Sequence, residues 1–366
     1  MSLNNQRPTI AVTGSAGKTT TKSMIASILR QKWFIYESKD VNNAFINTEK
    51  NAKRIRKSHQ AVVVEFGMAY YGHIVKHCSF ITPNIGVITN IGTAHIGNFK
   101  GDITKLASAK SELIQHMDQN GVLLINSDDV NSKHLPTHTF PGTIIKIGIN
   151  TPGHYRAENV EYSEEGMNFT VNLRGRSIPF YIPIFGVHNV YNALFAIAVA
   201  DRLGFSHEEI STGLKEYKKP RMRMVTRKLN GDITLIDDSF SANLNAMKAA
   251  IDVLVNVGGE GTKVAVLGDM KGLGVITKKA HLEVGSYGAM KKVDILYTIG
   301  KYSQLASQAA LDQGIPLENV IHFEDKETLY QNLSNLSPGT TILVKGSRTA
   351  RMEDVVNYLI NQYGML

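Results

Sequence analysis

Residues 9–20 read Thr-Ile-Ala-Val-Thr-Gly-Ser-Ala-Gly-Lys-Thr-Thr, and this segment restricts the fold more than any other part of the 366-residue chain. A β-branched run, residues 9–13, gives way to a short glycine-rich stretch, and Lys18 and Thr19 then open a helical pattern that continues to Gln31. Strand, glycine turn and helix in that order bind phosphate when backbone N–H groups and the helix N-terminus face one anion. Gly14, Ser15, Ala16 and Gly17 form the turn, Lys18 offers a charge to the terminal phosphates, Thr19 a hydroxyl to magnesium, and Thr20 continues the first helical turn. Two residues separate the glycines, where the common loop has four. Spacing alone therefore leaves open both a nucleotide site and a glycine turn with no ligand.

Beyond the loop the pattern alternates. Short apolar runs at 61–66, 85–91 and 122–126 flank a helical stretch at 103–117, which predicts βαβ units around a mostly parallel sheet. Between 155 and 183 the period changes to 2, and the runs 169–173 and 178–182, separated by Arg174-Gly175-Arg176, predict a small antiparallel flap. A helix is expected over 189–203. A second alternating series follows, with strands at 234–237, 263–267, 294–299, 320–323 and 341–344 and helices from about 245, from 278 and over 352–363. Lys218-Lys219-Pro220-Arg221 interrupts both series. The expected organisation is a phosphate-loop α/β domain, 1–219, followed by a Rossmann-like α/β domain, 220–366.

Composition removes several function classes. At 43% hydrophobic and 20% charged the chain is globular, and no apolar run approaches the roughly 18 residues that span a bilayer. No charged-then-apolar leader pattern opens the sequence, so a cytoplasmic protein with no membrane partner is expected. The single cysteine, Cys78, excludes an internal disulfide framework and a cysteine-built zinc site. Lys plus Arg exceed Asp plus Glu by 40 to 32, a formal +8 that attracts anions. No aromatic-interleaved basic cluster accompanies it, so nucleic acid is not an expected partner.

The string Thr13–Thr20 resembles the shortened phosphate loop of the Mur ligase family, and further strings follow in that family's order. These are Glu65-Phe66-Gly67-Met68, Asn90-Ile91-Gly92-Thr93-Ala94-His95, Ala109-Lys110-Ser111-Glu112, the stretch from Phe185 to Leu194, Ile236 to Asn243, Leu267-Gly268-Asp269-Met270 and Val344-Lys345-Gly346-Ser347-Arg348. The resemblance covers nearly the whole chain and is strongest to the branch that adds D-alanyl-D-alanine to a muramyl peptide. It implies an ATP-dependent, ADP-forming ligase that joins a small-molecule carboxylate to an amine, an amino acid or dipeptide, through an acyl phosphate.

The resemblance also implies roles residue by residue. Thr19 and Glu65 would hold one magnesium, and His95 with a carbamylated Lys110 a second; a free ammonium cannot ligate a cation, whereas a carbamate offers the oxygen that magnesium takes. A satisfied strand-end His95 and a solvated Lys110 are the plain alternatives. Asn189 and Asn192 would read the adenine, since a carboxamide both donates and accepts, though Asn189 could simply cap its helix. Arg223 would reach the γ-phosphate from the second domain, with Arg221 as the alternative, and Asp237 would touch the ribose and hinge. Lys345 and Arg348 resemble substrate contacts of the last domain, or else form a basic loop. Asn42 and Asn43 resemble an acceptor-side loop, or else a turn. Lys218 to Arg223 is the candidate hinge.

Two departures qualify the resemblance. Family members acting on UDP-linked muramyl peptides carry a preceding domain of roughly one hundred residues that grips UDP, whereas here the phosphate loop stands close to residue 1. The family's Asp-Ser-Tyr-Asn-Ala-Asn-Pro becomes Asp238-Ser239-Phe240-Ser241-Ala242-Asn243-Leu244, and Lys271-Gly272 replaces an acidic residue after Gly-Asp-Met. The expectation is that ATP chemistry is kept while the acid is held without a UDP-binding domain. Its alternatives are a true muramyl-peptide ligase, truncated or completed by a UDP-binding partner chain, and a non-catalytic ATP-binding subunit.

Overall fold

The computed structural model describes residues 7–39 and 43–366. The chain divides into two compact units, the first ending at Pro220 and the second being Arg221–Leu366. No helix among the described residues is long and apolar enough to cross a membrane.

The first unit runs β1 (Thr9–Thr13), α1 (Lys18–Leu29), β2 (Ile35–Glu37), α2 (Phe45–Arg54), β3 (Ala61–Glu65), α3 (His73–Phe80), β4 (Ile85–Ile88), α4 (Ile103–His116), β5 (Val122–Asn126) and β6 (Thr143–Gly148). These six strands pair in parallel in the order β2-β3-β1-β4-β5-β6. Residues of β1, β3, β4 and β5 are buried almost throughout, as expected of strands covered on both faces. Because β1 lies between β3 and β4, the strand order reverses beside it. The crevice at the carboxyl ends Thr13, Glu65 and Ile88 is therefore a topological switch point, where open α/β sheets take ligands.

The expected flap is continuous with this sheet. Strand β7 (Tyr155–Tyr162) pairs in parallel with β6, then β8 (Met167–Leu173) and β9 (Arg176–Ile182) add antiparallel. Along β8 the residues Met167, Phe169, Val171 and Leu173 are buried and Asn168 and Asn172 exposed, which is the period of 2 read from the sequence. Pro179 sits in β9, an edge strand, where a missing N–H costs least. Helix α5 (Val187–Arg202) starts two residues before the expected position, and α6 (His207–Lys215) closes the unit behind a Ser206–Glu209 capping box. Gly213 of α6 lets that helix press on α1, since a Cβ there would lie 2.4 Å from Ile28 Cα.

The second unit is β10 (Val225–Leu229), β11 (Ile233–Asp238), α7 (Leu244–Gly258), β12 (Lys263–Gly268), α8 (Thr277–Met290), β13 (Ile295–Ile299), α9 (Gln304–Asp312), β14 (Val320–Phe323), α10 (Lys326–Leu333), β15 (Thr341–Lys345) and α11 (Glu353–Tyr363). The sheet order is β10-β11-β15-β12-β13-β14, parallel except for the β10–β11 hairpin. Its switch point falls at β15, between β11 and β12, so Asp238, Lys345 and Gly268 meet at one carboxyl edge.

Candidate active site

In the first unit the glycine turn behaves as a loop that only glycine permits. Gly14 (φ 142°) and Gly17 (φ 79°) lie in the region that favours glycine. A Cβ on Gly14 would fall 1.9 Å from Thr89 Oγ1, and one on Gly17 would fall 2.3 Å from Asn192 Oδ1. The loop is strapped to the turn after β4: Ser15 N–H donates to the Asn90 carbonyl at 3.0 Å, Ala16 N–H to Asn90 Oδ1 at 3.0 Å, and Thr89 Oγ1 to the Ala16 carbonyl at 2.6 Å. Ser15 Oγ donates to Gly92 O. Gly17 caps α1 with no side-chain hydrogen bond, so the first helical N–H groups, through Thr20, keep the anion-binding character of an uncapped N-terminus. Lys18 folds back across the turn and donates from Nζ to the Gly14 carbonyl at 2.9 Å.

Oxygen donors converge beside this loop. Thr19 Oγ1 donates to Glu65 Oε2 at 2.8 Å, and Asn43 Nδ2 donates to Glu65 Oε1 at 2.7 Å. Glu65 is 2% exposed. Asn43 thus braces a carboxylate, which a turn reading does not anticipate; Asn42 lies outside the described residues. His95 has φ 62°, an uncommon conformation for a non-glycine residue and one that gathers at functional sites. Its edge reaches solvent, yet lost hydration, then the charges of Lys18 and Lys110, hold its pKa down at about 4. Lys110 is 1% exposed on α4, so the solvated alternative fails. It makes no hydrogen bond or ion pair to a described residue, and burial, then Lys18, push its pKa far down.

The two asparagines of α5 stand behind the loop. Asn192 Oδ1 accepts from Thr21 Oγ1 at 3.0 Å, Asn192 Nδ2 donates to Asn189 Oδ1 at 2.9 Å, and Asn189 Nδ2 donates to Phe185 O at 2.7 Å. These bonds tie α5 to the phosphate loop. Asn189 does not cap the helix; Gly186 holds that position, with no side-chain cap.

In the second unit Arg223 stands between two residues with positive φ, Met222 (60°) and Met224 (51°). Its guanidinium lies over the Phe240 ring, 4.3 Å from the centroid, and donates to Ser241 Oγ at 2.8 Å. Phe240 and Ser241, two of the departures noted above, are therefore what hold this arginine. Asp237 accepts from Arg227 Nη1 at 3.2 Å and from Ser239 Oγ at 2.6 Å, so both carboxylate oxygens have partners within the unit. Lys345 corrects the basic-loop reading: it ends β15, is 1% exposed, and directs Nζ to Asp238 Oδ2 at 2.5 Å and Ser241 O at 2.8 Å. Arg348 is exposed and pairs with Glu353.

Residues 12–200 match the family described as the Mur ligase middle domain, and residues 220–348 match the one described as Mur ligase, glutamate ligase domain. The chain belongs to the Mur ligase family. The UDP-N-acetylmuramoyl-tripeptide–D-alanyl-D-alanine ligase of Bacillus subtilis (strain 168) is 34% identical over 355 residues, 96% of this chain and 75% of the relative. The ligase of the same name from Escherichia coli (strain K12) is 32% identical over 96% of this chain and 76% of its own length. A crystal structure of MurF from Acinetobacter baumannii superposes with a TM-score of 0.87 at 30% identity, covering 98% of this chain and 77% of that one. The family, the α/β fold class and the enzyme class expected from the sequence are borne out: this Mur ligase is an ATP-dependent, ADP-forming amide ligase.

Magnesium, which Mur ligases use with ATP, suits the residues present. Hydroxyl and carboxylate oxygens of Thr19 and Glu65 already meet at the loop mouth, and magnesium is ordinarily held by one or two such protein oxygens and completed by phosphate and water. Sequence reasoning missed Thr89, Asn90 and Phe240. Asn90 and Phe240 lie inside quoted motifs, but their task is to hold a neighbour, which no pattern of residue types announces.

Proposed function

We propose that this Mur ligase joins the carboxylate of a muramyl peptide to the amine of a D-alanyl-D-alanine dipeptide. The carboxylate oxygen attacks the γ-phosphorus of ATP, ADP leaves, and the dipeptide nitrogen attacks the acyl carbon, losing a proton as phosphate departs. Loop N–H groups and Lys18 hold the phosphates, and Arg223 supplies a charge for the γ-phosphate. Asn189 and Asn192, tied to α1 through Thr21, read the base, and Asp237 contacts the ribose. Phosphoryl transfer of this kind requires positioning and charge neutralisation more than a nucleophilic side chain. Thr19 and Glu65 would hold one magnesium, and His95 with carbamylated Lys110 a second, which would supply positive charge to neutralise the phosphates. Carbamylation forms a bond from the neutral Lys110 nitrogen to carbon dioxide and releases one proton. Asn43, Lys345 and Arg348 support the substrate side.

The observation that carries the reading is Lys110, a buried amine without a described partner, close enough to Lys18 for each charge to disfavour the other. Relatives named as muramyl-tripeptide ligases support the substrate pair. The test is phosphate release and amide product from ATP, magnesium, D-alanyl-D-alanine and either a UDP-muramyl tripeptide or the same peptide without UDP. Turnover of the UDP-linked acid supports the muramyl reading. Exclusive use of an acid without UDP returns the expectation drawn from the sequence, and no amide from any pair refutes both.

A further inference from the structure

His77 lies outside every motif that the sequence offers, yet it is fully buried in α3 beneath the Glu65 turn. Its ring stacks on Phe66, 4.5 Å between centroids and 17° between planes. Nε2 is 2.9 Å from the Gly67 carbonyl and Nδ1 is 2.6 Å from Thr48 Oγ1. A carbonyl only accepts, so Nε2 carries the proton and Nδ1 accepts from the Thr48 hydroxyl. Both ring nitrogens are used, and the imidazole is neutral.

The backbone of Gly67 continues the chain of contacts. Its N–H donates to the Asn43 carbonyl at 2.8 Å, and Asn43 Nδ2 donates in turn to Glu65 Oε1 at 2.7 Å. The fit is close: a Cβ on residue 67 would lie 2.5 Å from Asn43 Oδ1 and 2.6 Å from Asn43 O. One end of the chain of contacts is Thr48 on α2, and the other is the carboxylate oxygen of Glu65 that does not receive Thr19. We propose that His77 is a positioning residue for magnesium, fixing the backbone on both sides of Gly67 so that Asn43 aims the Glu65 carboxylate. This rests on the assignment of Glu65 as a magnesium ligand. Partners one shell removed from a ligand set its orientation, and losing one commonly costs tenfold or more in metal affinity.

The experiment titrates ATP into the full chain by calorimetry across a magnesium series, and again in EDTA. His77→Leu is expected to raise the magnesium half-saturation by about tenfold while leaving metal-free ATP affinity as in the parent. His77→Gln, whose amide N–H can reach the Gly67 carbonyl, recovers most of the loss, and Thr48→Val shifts the dependence in the same direction by less. A folding role alone would move the urea midpoint and not the magnesium dependence. Parental magnesium dependence in folded His77→Leu overturns the proposal, as does a His77→Gln variant as impaired as the leucine. Should His77→Leu not fold, Thr48→Val decides, and parental behaviour there is the refuting result. Glu65→Gln separates the two layers. If it leaves the magnesium dependence unchanged, the ligand assignment falls and the proposal with it; if it shifts the dependence while His77→Leu does not, only the positioning role falls.

Discussion

Gly17→Ala should cost this Mur ligase about a hundredfold in ATP affinity, through two separable terms. Residue 17 has φ 79°, and an alanine there pays the left-handed penalty of about 1 kcal/mol. Its Cβ would also sit 2.3 Å from Asn192 Oδ1. Asn192 cannot swing aside freely, being 4% exposed and bonded to Thr21 and Asn189. Displacing it breaks two hydrogen bonds at about 1 kcal/mol each. The sum, about 3 kcal/mol, corresponds to about two decades of affinity if binding requires the native loop. Calorimetric titration of ATP into the parent, Gly17→Ala, Asn192→Ala and the double variant isolates the terms. With Asn192 truncated to alanine, the three atoms nearest the added methyl are gone, so Gly17→Ala in that background should weaken ATP only by about five- to tenfold, the left-handed share. A full hundredfold loss in both backgrounds refutes the collision. Parental affinity in Gly17→Ala refutes the argument entirely.

Lys345→Met leaves the buried Asp238 carboxylate without its ammonium and should lower stability by about 3–5 kcal/mol, read as an earlier urea transition, while adding Asp238→Asn recovers part of it. Lys110→Ala should abolish turnover, with partial recovery on adding acetate or another short carboxylate; normal turnover would remove carbamylation from the mechanism. Asp128 gives a pH signature. Burial pushes its pKa up, but hydrogen bonds from Thr151, Ile149, Tyr191 and Asn150 outweigh that and hold it below the usual carboxylate range. A depressed pKa stabilises the fold above the ordinary carboxylate value near 4 and is lost as pH falls through the folded value. Asp128→Asn should therefore destabilise at pH 7 by about 1–3 kcal/mol and flatten the acid limb of a denaturation curve measured from pH 7 to 2.

The phosphate loop was legible because its requirement is local: Gly14 and Gly17 must adopt positive φ within a strand–helix junction, and glycine spacing beside a β-branched run displays that. Parallel strands were legible for a similar reason, since burial on both faces leaves continuous apolar runs. Helix α2, Phe-Ile-Asn-Thr-Glu-Lys-Asn-Ala-Lys-Arg, was not, because only Thr48 and Asn51 are buried and no apolar stripe marks it. Strand β10 was hidden by its position at an edge, where one of its five residues is buried. Lys345 shows a different limit. Its partner Asp238 is 107 residues away, and a lysine ending an apolar strand looks the same whether it reaches water or a carboxylate. Asn43 is similar, since turn-forming residue types do not show that Glu65 lies across the fold.

Three lysines of this chain lie among its largest fully buried side chains, and their surroundings separate structure from chemistry. Lys22 Nζ meets Glu37 Oε1 at 3.1 Å and donates to Ser38 O at 2.7 Å. Lys345 meets Asp238 and Ser241. Each has a carboxylate and a carbonyl, the pairing that a buried ammonium needs to offset its lost hydration. Lys110 has neither among the described residues and acts against the charge of Lys18 instead. An unpaired ammonium there would cost several kcal/mol, so burial favours the neutral amine, which is the nucleophilic form. Among the described residues Lys110 is thus the one of the three without a carboxylate partner, which supports its proposed reaction with carbon dioxide. Placing a glutamate within reach of Lys110, for example Ala107→Glu or Leu106→Glu, three and four residues before it on the same helix, should restore the charge, block carbamylation and suppress turnover even in saturating bicarbonate. Full activity in a folded variant whose Lys110 is shown by mass spectrometry and NMR to be an ammonium would refute the argument.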